Sequence, residues 1–180
     1  MIRFIKEEDI PVILKWYNHY IEHDTATFET EPLSLEEFTE RVHSIIARYP
    51  WIILEKEGKP VGYAYLGSFI PRAAYNWTCA LAIYLDPEET GKGYGSELMA
   101  AAIGIAQKAG CRVLLSNITK GNRASERLHE KFGFEEKGTF EDVGYKFGKW
   151  LSITYYSKKL NPTDSEPEPL VNPAEQKTEE

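Results

Sequence analysis

Hydrophobic positions in the first fifty residues recur with the period of an amphipathic helix in two stretches, behind a short apolar strand at residues 2–5. Pro11 fits the first turn of the first helix, because a proline there gives up no helical hydrogen bond. Ser34 and Glu37 form a capping box that begins the second helix, and Pro50 ends it. The two apolar faces consist of Ile10, Ile13, Leu14, Tyr17 and Ile21, and of Leu35, Phe38, Val42, Ile45, Ile46 and Tyr49.

The pattern then alternates between β-rich runs and helical stretches. A hairpin is indicated at residues 51–57 and 61–69, where β-branched and aromatic runs flank a Gly-Lys turn. Residues 96–109 are rich in alanine and are followed by Gly110, so they predict a helix. The remaining predicted elements are strands at 77–85 and 112–118, a short helix at 124–132 closed by Gly133, and two strands within 135–160 around Gly144 and Gly148. This order predicts one mixed α/β domain over residues 1–160.

Residues 161–180 differ from the rest of the chain in composition. They contain four prolines, six acidic residues, one lysine and almost nothing apolar. Such a segment buries too little apolar surface to offset the entropy of ordering, so we predict a disordered, acidic, proline-rich tail. The tail carries −5 of the formal net charge of −7, which leaves the domain near −2. A body without clustered Lys and Arg argues against nucleic-acid and anionic-membrane partners.

No segment indicates a membrane span or a secretory signal. The start, MIRFIKEEDI, lacks the apolar core of a signal peptide, and no run approaches the roughly 20 apolar residues that span a bilayer. A cytoplasmic protein is therefore expected. Cys79 and Cys111 each lie in an apolar run and in no metal-ligand spacing, so we predict two buried free thiols and no metal site.

A glycine-rich segment connects the strand at 77–85 with the third helix, and it reads Thr90-Gly91-Lys92-Gly93-Tyr94-Gly95-Ser96. N–H groups at a helix start attract anions, and glycines let a phosphate approach them closely. A plain glycine turn explains the segment equally well. A Walker loop is excluded, because it needs Ser or Thr where Gly93 stands. A dinucleotide loop follows the first strand and has an acid about 20 positions on, and residues 109–116 contain none.

Two motifs resemble those of the GNAT acetyltransferases. The glycine segment fits the family's pyrophosphate loop, Gln/Arg-x-x-Gly-x-Gly/Ala, with Thr90 in place of the usual first residue. About 30 residues on, positions 122–134 read NRASERLHEKFGF, similar to the family's Asn followed by Leu-Tyr-Glu-Lys-x-Gly-Phe. The resemblance implies a GNAT-type fold: a mixed, mostly antiparallel central sheet, flanked by helices and splayed at the strand that binds acetyl-CoA.

More narrowly, most of the domain is similar to the phosphinothricin acetyltransferase family. This resemblance implies acetyl-CoA as cosubstrate, a homodimer, and transfer to the amine of phosphinothricin, methionine sulfoximine or methionine sulfone through a tetrahedral intermediate. The matching pieces are Asn18-His19-Tyr20-Ile21-Glu22, Thr30-Glu31-Pro32, Arg48-Tyr49-Pro50-Trp51, Ala74-Tyr75-Asn76-Trp77-Thr78, Arg127-Leu128-His129-Glu130, and Gly144-Tyr145-Lys146 with Trp150.

The resemblance also assigns residues to acetyl-CoA. The splayed strand binds the pantetheine amides and the thioester oxygen through its backbone, the loop binds the pyrophosphate, and the start of the fourth helix contacts the pantetheine arm. The residues at these positions are Ile83, Tyr84 and Leu85; Gly91, Lys92, Gly93, Tyr94, Gly95 and Ser96; and Asn122 and Ser125. At a helix start, Asn122 fits an N-cap role as well.

His129 stands where the phosphinothricin acetyltransferases have a histidine proposed to be catalytic. We predict that it protonates the departing CoA thiolate or relays a proton near the sulfur. Ala80 departs from the family, which has at this position a glutamate proposed to deprotonate the amine. Three explanations are thus left open: another acid, such as Glu29 acting through water, takes the proton; the amine arrives neutral; or the substrate and activity have changed.

The acceptor pocket is the least specified part of the sequence. Arg72 matches a family arginine and is predicted to bind a carboxylate or phosphinate bidentately, although a solvated surface arginine is the alternative. Phe28 and Tyr75 are the aromatic candidates, and Trp77 and Tyr145 are weaker ones, since aromatic residues on strands usually pack in a core.

Two functional alternatives follow from Ala80 and the unknown pocket. A non-catalytic acyl-CoA-binding or sensory module keeps the glycine loop without the base, whereas His129 and Asn122 favour an enzyme. An acetyltransferase for a polyamine or a protein amine is the second alternative, which Arg72 argues against.

Overall fold

A computed structural model of the chain describes residues 1–161 and 164–174. Within these residues, seven strands form one sheet in the order β1-β2-β3-β4-β5-β7-β6, and every neighbouring pair is antiparallel except β4 with β5. The strands are β1 Ile2–Phe4, β2 Trp51–Lys56, β3 Lys59–Ser68, β4 Thr78–Leu85, β5 Val113–Thr119, β6 Glu135–Lys146 and β7 Lys149–Lys159. The helices are α1 Ile10–His23, α2 Leu35–Ile46, α3 Tyr94–Lys108 and α4 Arg123–Lys131. The predicted mixed, mostly antiparallel sheet flanked by helices is confirmed.

Helices α1 and α2 cover one face of the sheet. Their apolar stripes pack against β2 and β3 in a core that includes Ile13, Phe38, Trp51 and Tyr63. The capping box that begins α2 is present, since the Ser34 hydroxyl accepts a hydrogen bond from the Glu37 N–H at 3.2 Å. Burying side chains of this size contributes roughly 1.5–3 kcal/mol each.

Helix α3 lies on the opposite face, and α4 packs beside it. The side of α3 that meets the sheet is formed by Leu98, Met99, Ala102 and Ala106, all buried, and α3 packs against β2, β3 and β4. No described helix is long and apolar enough to cross a membrane.

Strands β4 and β5 part after a short parallel contact. Within the described residues they pair only at Thr78, Cys79 and Ala80, whereas β4 pairs with β3 from Cys79 to Leu85. The hydroxyl of Ser116 donates to the Leu81 carbonyl at 3.4 Å just beyond the last pair. A gap therefore opens between β4 and β5 on the side where the glycine segment follows β4.

Cys79 and Cys111 form a disulfide, so the prediction of two free thiols is wrong. Cys79 lies on β4, and Cys111 lies just before β5, so the parallel pairing of these strands brings the two Cα atoms to 6.5 Å. Both residues are fully buried. The bridge closes a separation of 32 residues, which corresponds to roughly 4 kcal/mol of unfolded-state entropy. Sequence spacing does not reveal such a pair, because it depends on the strand order.

Part of the predicted tail is packed on the body. Trp77 Nε1 donates to the Glu168 carbonyl at 2.7 Å, the Val171 N–H to the Ala109 carbonyl at 3.0 Å, and the Asn172 amide to the Ile46 carbonyl at 2.9 Å. Leu170 adds its side chain to the core under α3. Disorder was predicted for 161–180, and the structure differs from this between Glu168 and Asn172, because the segment supplies hydrogen-bonding groups and an apolar side chain that suit the surface beneath. Residues 162, 163 and 175–180, which belong to the same prediction, lie outside the described residues.

Candidate functional site

The glycine segment forms an open turn at the start of α3. Gly91 and Gly93 have φ angles of +77° and +85°, a region that side chains other than glycine rarely adopt, and the space where a Cβ would stand is empty at both. The first helical turn closes with a hydrogen bond from the Ser96 N–H to the Gly93 carbonyl at 3.0 Å. The N–H groups just before it have no acceptor within the helix and are available to an anion. The geometry fits a phosphate.

Three lysines approach this turn. Lys92, the predicted one, pairs with Glu89 at 2.7 Å, and this hydrogen bond raises the pKa of Lys92 and keeps it cationic. Lys131 of α4 donates to the Ser96 hydroxyl at 3.0 Å, and Lys56 of β2 lies 5.1 Å from the Tyr94 ring centre. Sequence reasoning missed the last two. Lys131 lies within the second motif, which was a usable signal, whereas Lys56 comes from a distant strand.

The backbone of β4 turns alternate residues toward the gap. The Asp86 N–H donates a hydrogen bond to the Val61 carbonyl, so the backbone of Asp86 faces β3. In an antiparallel pair every second residue faces the same neighbour, so the backbone N–H and C=O of Tyr84 also face β3. Those of Ile83 and Leu85 point the other way, into the gap, where the Tyr20 hydroxyl already donates to the Leu85 carbonyl at 3.0 Å. Of the three strand residues predicted to bind through their backbone, Tyr84 is thus the exception, because its N–H and C=O are used by β3.

His129 lies on the inner side of α4 and is 5% exposed. Its ring contacts Phe134 edge-on at 4.9 Å and Tyr156 of β7 at 6.0 Å. Tyr156 stands opposite Ser116 in the β5–β7 register, so His129 is packed over the part of the sheet where β4 and β5 separate.

The contacts of His129 determine its tautomer. Nδ1 lies 2.8 Å from the Ser125 carbonyl, which only accepts, so Nδ1 carries the proton and Nε2 of the neutral ring has a free lone pair. Burial lowers the pKa of His129, while the hydrogen bond to Ser125 opposes that shift. The Asn122 side chain accepts from the Ser125 N–H at 3.2 Å, so Asn122 is an N-cap that fixes Ser125 and, through it, the imidazole. Binding of the donor by Asn122 and Ser125 stays a prediction.

On the other face of the sheet, toward α1 and α2, the surface beside the gap is incompletely covered, and we call this surface over Ala80 and Ala82 the cleft. β4 is the fourth of the seven strands, yet Ala80 and Ala82 on the face toward α1 and α2 are only half-buried. Around them stand tyrosines, with Tyr84 5.4 Å from Tyr63 and 5.3 Å from Tyr17 between ring centres. Burial raises the pKa of both Tyr63 and Tyr84, so these hydroxyls stay neutral. Small side chains in the centre of a sheet leave room for a second molecule beside the gap.

Comparison with known proteins agrees with this arrangement. The model of the acetyltransferase (GNAT) domain family matches residues 2–154. The chain belongs to the GNAT acetyltransferases. It is therefore an acyltransferase, and the resemblance drawn from its two motifs is confirmed.

Relatives of this acetyltransferase share most of its length. It is 33% identical to phosphinothricin N-acetyltransferase of Alcaligenes faecalis, over 91% of this chain and 84% of that protein. It is 34% identical to the L-methionine sulfoximine/L-methionine sulfone acetyltransferase of Pseudomonas aeruginosa, over 88% and 94%. The crystal structure of a GNAT superfamily phosphinothricin acetyltransferase from Sinorhizobium meliloti in complex with acetyl-CoA superposes with a TM-score of 0.90 at 31% identity, over 97% of this chain and 96% of that one.

The predicted acceptor residues of the acetyltransferase lie on different elements. Phe28, in the α1–α2 connection, packs its ring directly on Gly144 of β6, where any side chain would collide with it. Arg72 and Tyr75 belong to the β3–β4 connection and are exposed, Arg72 donating to the Pro71 carbonyl at 2.9 Å. Among the described residues, no hydrogen bond or ring contact joins Phe28 to either of them. Their roles toward an acceptor stay predictions.

Lys146 is a residue whose role the sequence did not indicate. It is 4% exposed, and its Nζ donates to the carbonyls of Asp24 at 2.7 Å and Thr27 at 2.8 Å. The α1–α2 connection, which carries Phe28 and Glu29, is thereby fixed to the end of β6. The motif Gly144-Tyr145-Lys146 marked the position as matching the family, but only the fold shows what the lysine holds.

Proposed function

We propose that this acetyltransferase moves the acetyl group of acetyl-CoA to the amine of a small amino-acid-like substrate of the phosphinothricin, methionine sulfoximine or methionine sulfone type. The observation that carries the proposal is the gap between β4 and β5, which joins the anion-binding turn on one side to the cleft over Ala80 and Ala82 on the other. Relatives that act on these substrates cover most of the chain, which supports the substrate class.

Acetyl-CoA is the acetyl donor, and the described groups suit its chemistry. The turn at Gly91 and Gly93 offers N–H groups and open space to the pyrophosphate, with Lys92 and Lys131 nearby. The polar groups of Ile83 and Leu85 that face the gap suit the amides of the pantetheine arm. N–H donors aimed at the thioester oxygen stabilise the charge that develops there by a few kcal/mol.

His129 acts as a proton relay in this proposal. The neutral ring has a lone pair on Nε2, so it has no proton to give until it accepts one. The amine attacks the thioester carbonyl, and the new C–N bond forms a tetrahedral intermediate. Nε2 takes the surplus proton of the amine and hands it to sulfur as the C–S bond breaks. The general-acid role predicted from the sequence is thereby refined into acceptance followed by donation.

The homodimer is part of the same proposal. The hairpin of β6 and β7 forms the edge of the sheet, and large apolar residues on it are exposed: Phe140, Val143, Tyr145, Phe147 and Trp150. An exposed apolar patch on a sheet edge is characteristic of a protein–protein interface. Sedimentation of the wild type should give twice the chain mass, and Trp150→Glu should give a monomer. A monomeric wild type contradicts the dimer.

The cytoplasm is the proposed location, with no nucleic-acid or membrane partner. Thiols in that compartment are kept reduced, so the Cys79–Cys111 bridge survives there only if reductants do not reach it. Both sulfurs lie in the core beside α3, which supports such protection. Alkylation under denaturing conditions of protein from freshly lysed cells, without reductant, should leave both cysteines unmodified, whereas modification of both would show that the bridge is absent in the cell.

A substrate panel tests the function. CoA release from acetyl-CoA should be measured with phosphinothricin, methionine sulfoximine, methionine sulfone, spermidine and a lysine-containing peptide. We expect turnover with the first three and acetylated product by mass spectrometry. Acetyl-CoA binding without turnover on any amine favours the non-catalytic module, and turnover on spermidine or the peptide alone contradicts the substrate class.

A further inference from the structure

The ion pair of Glu29 and Arg41 stands at the edge of the cleft over Ala80 and Ala82. We propose that these two side chains form the recognition site for the α-amino carboxylate end of the acceptor, Glu29 holding the ammonium group and Arg41 the carboxylate. The inference rests on the proposed function, because it requires an amino-acid acceptor.

The geometry of the pair suits exchange with a ligand. Arg41 donates to Glu29 through both arms of its guanidinium, at 2.7 Å and 3.2 Å. The two side chains are 35% and 33% exposed, so each is partly desolvated and still accessible from solvent. Carboxylate binding by a two-armed guanidinium is therefore already present, with Glu29 in the position that a substrate carboxylate would take.

Neighbouring contacts place the pair against the tyrosines of the cleft. The Arg41 guanidinium lies 5.8 Å from the Tyr17 ring centre, and one arm reaches the Tyr17 hydroxyl at 3.5 Å. Burial raises the pKa of Tyr84, and the nearby charge of Glu29 adds to this shift. Tyr65, which shows the same two effects, pairs with Ala82 across β3 and β4. Through Tyr17, whose ring meets that of Tyr84 at 5.3 Å between ring centres, the ion pair thus stands beside β4.

The negative charge of Glu29 and the positive charge of Arg41 match the ammonium and carboxylate groups of an amino acid bound in one orientation. An amino acid that enters replaces one ion pair by two, so the cleft stays electrically balanced whether it is empty or occupied, and no buried charge is left unpaired. Glu29 also supplies a carboxylate beside the amine, which Ala80 does not. Because Arg41 takes the α-carboxylate, Arg72 is left for the distal phosphinate or sulfone oxygens.

The ion pair also has a structural role, because it joins the α1–α2 connection to α2. A test must therefore separate this role from ligand recognition. Arg41→Met and Glu29→Gln in the full chain should each raise the KM of methionine sulfone at least tenfold and leave the KM of acetyl-CoA within twofold. Arg48→Met is the matched control, because Arg48 is an exposed arginine just after α2. It should change neither KM.

The charge swap Glu29→Arg with Arg41→Glu separates the two roles. It rebuilds the ion pair, so it should restore the Tm to within about 2 °C of the wild type. It reverses the charges met by the ammonium and the carboxylate, so activity on amino acids should stay at least tenfold below the wild type. A swap that restores both Tm and activity overturns the proposal.

A second experiment removes the carboxylate from the acceptor instead of changing the protein. Wild type should prefer methionine sulfone at least tenfold over the amine that lacks its carboxyl group, and Arg41→Met should remove that preference. Equal rates of the wild type on both amines overturn the inference and leave the proposed function standing. A wild type inactive on every amine overturns both. The pH profile adds a readout: kcat/KM should level off below the amine pKa in the wild type and keep rising toward it in Glu29→Gln.

Discussion

Single residues determine the chemistry of the site, and His129 is the clearest case. Removing its imidazole in His129→Phe should lower kcat by roughly 10²–10³-fold, the size typical of lost proton transfer. The KM of acetyl-CoA should stay within twofold, because no binding role is assigned to the ring. The matched control is His43→Phe, which alters an exposed histidine on α2 and should leave kcat unchanged. Steady-state kinetics on methionine sulfone make the comparison, and unchanged kcat in His129→Phe contradicts the relay.

The pH dependence of His129 follows from its burial. Burial disfavours the imidazolium and lowers the pKa below the usual 6.5, so the neutral ring needed to accept a proton persists to a lower pH. Activity should therefore fall only as the pH drops through that lowered value. Stability follows the same sign: below about 6.5 the unfolded chain binds a proton that the folded chain resists, so unfolding becomes easier. His129→Gln should lose less stability between pH 7 and pH 5 than the wild type.

For single residues, the sequence indicated a role only where the interaction partners lie close along the chain. Asn122, Ser125 and His129 follow one another at spacings of three and four residues, so a single local motif contains all three. Cys79 and Lys146 act through partners far along the chain, and no local pattern shows a disulfide across strands or a lysine capped by distant carbonyls. The ion pair of Arg41 with Glu29 has no local signal either, because its two residues lie on α2 and in the connection before it.

The start of α3 is the element whose local conformation matters most. Gly93→Ala places a side chain at φ +85° and projects a methyl group into the space open to a phosphate. We expect a loss of about 1 kcal/mol of stability and a roughly tenfold higher KM for acetyl-CoA, with the KM of the acceptor unchanged. Gly104→Ala on the same helix is the control: it has open space and helical φ, so it should gain up to about 1 kcal/mol. Thermal unfolding and kinetics measure both effects, and a change confined to the acceptor KM contradicts an anion-binding turn.

The α1–α2 connection depends on Lys146 in the same way. Lys146→Met leaves the carbonyls of Asp24 and Thr27 without their donor, which should cost about 2–3 kcal/mol. The loosened connection carries Glu29, so the acceptor KM should rise severalfold while the KM of acetyl-CoA stays constant. Lys149→Met, an exposed lysine at the start of β7, should alter neither. An equal rise in both KM values would mean that the lysine supports the whole fold rather than the connection.

At the level of elements, the hydrophobic and turn patterns predicted every described α-helix and strand to within a few residues, but not the three short 3₁₀ helices at residues 7–9, 73–75 and 87–89. Capping residues such as Ser34, and glycines after helix ends, are local signals, and the structure uses them as expected. The separation of β4 and β5 has no such signal, because it depends on which strands become neighbours. It was expected only through the resemblance, and the three-residue pairing now accounts for it physically.

For the whole molecule, the composition of the C-terminal segment did not predict where the packed part of the chain ends. The proline-rich, acidic segment predicted disorder, yet Leu170 packs on the core and Asn172 is buried. Composition averages over a segment, whereas two side chains and a few backbone hydrogen bonds are enough to hold it. The 42% apolar content, by contrast, indicated a globular chain, and the described residues form one seven-stranded sheet with a core on each face.

The packed segment makes a prediction for the whole chain. Leu170→Ala with Asn172→Ala removes one apolar contact and the hydrogen bond to the Ile46 carbonyl, which should cost about 2–3 kcal/mol and lower the Tm by roughly 5–10 °C. Val171→Ala is the control, because its side chain is exposed and only its backbone bonds to Ala109. If the segment were the disordered tail that its composition predicts, all three substitutions would leave the Tm unchanged. Since the segment bonds to the ends of both α2 and α3, a lower Tm with full kcat would show that this contact stabilises the fold without reaching the cleft on β4.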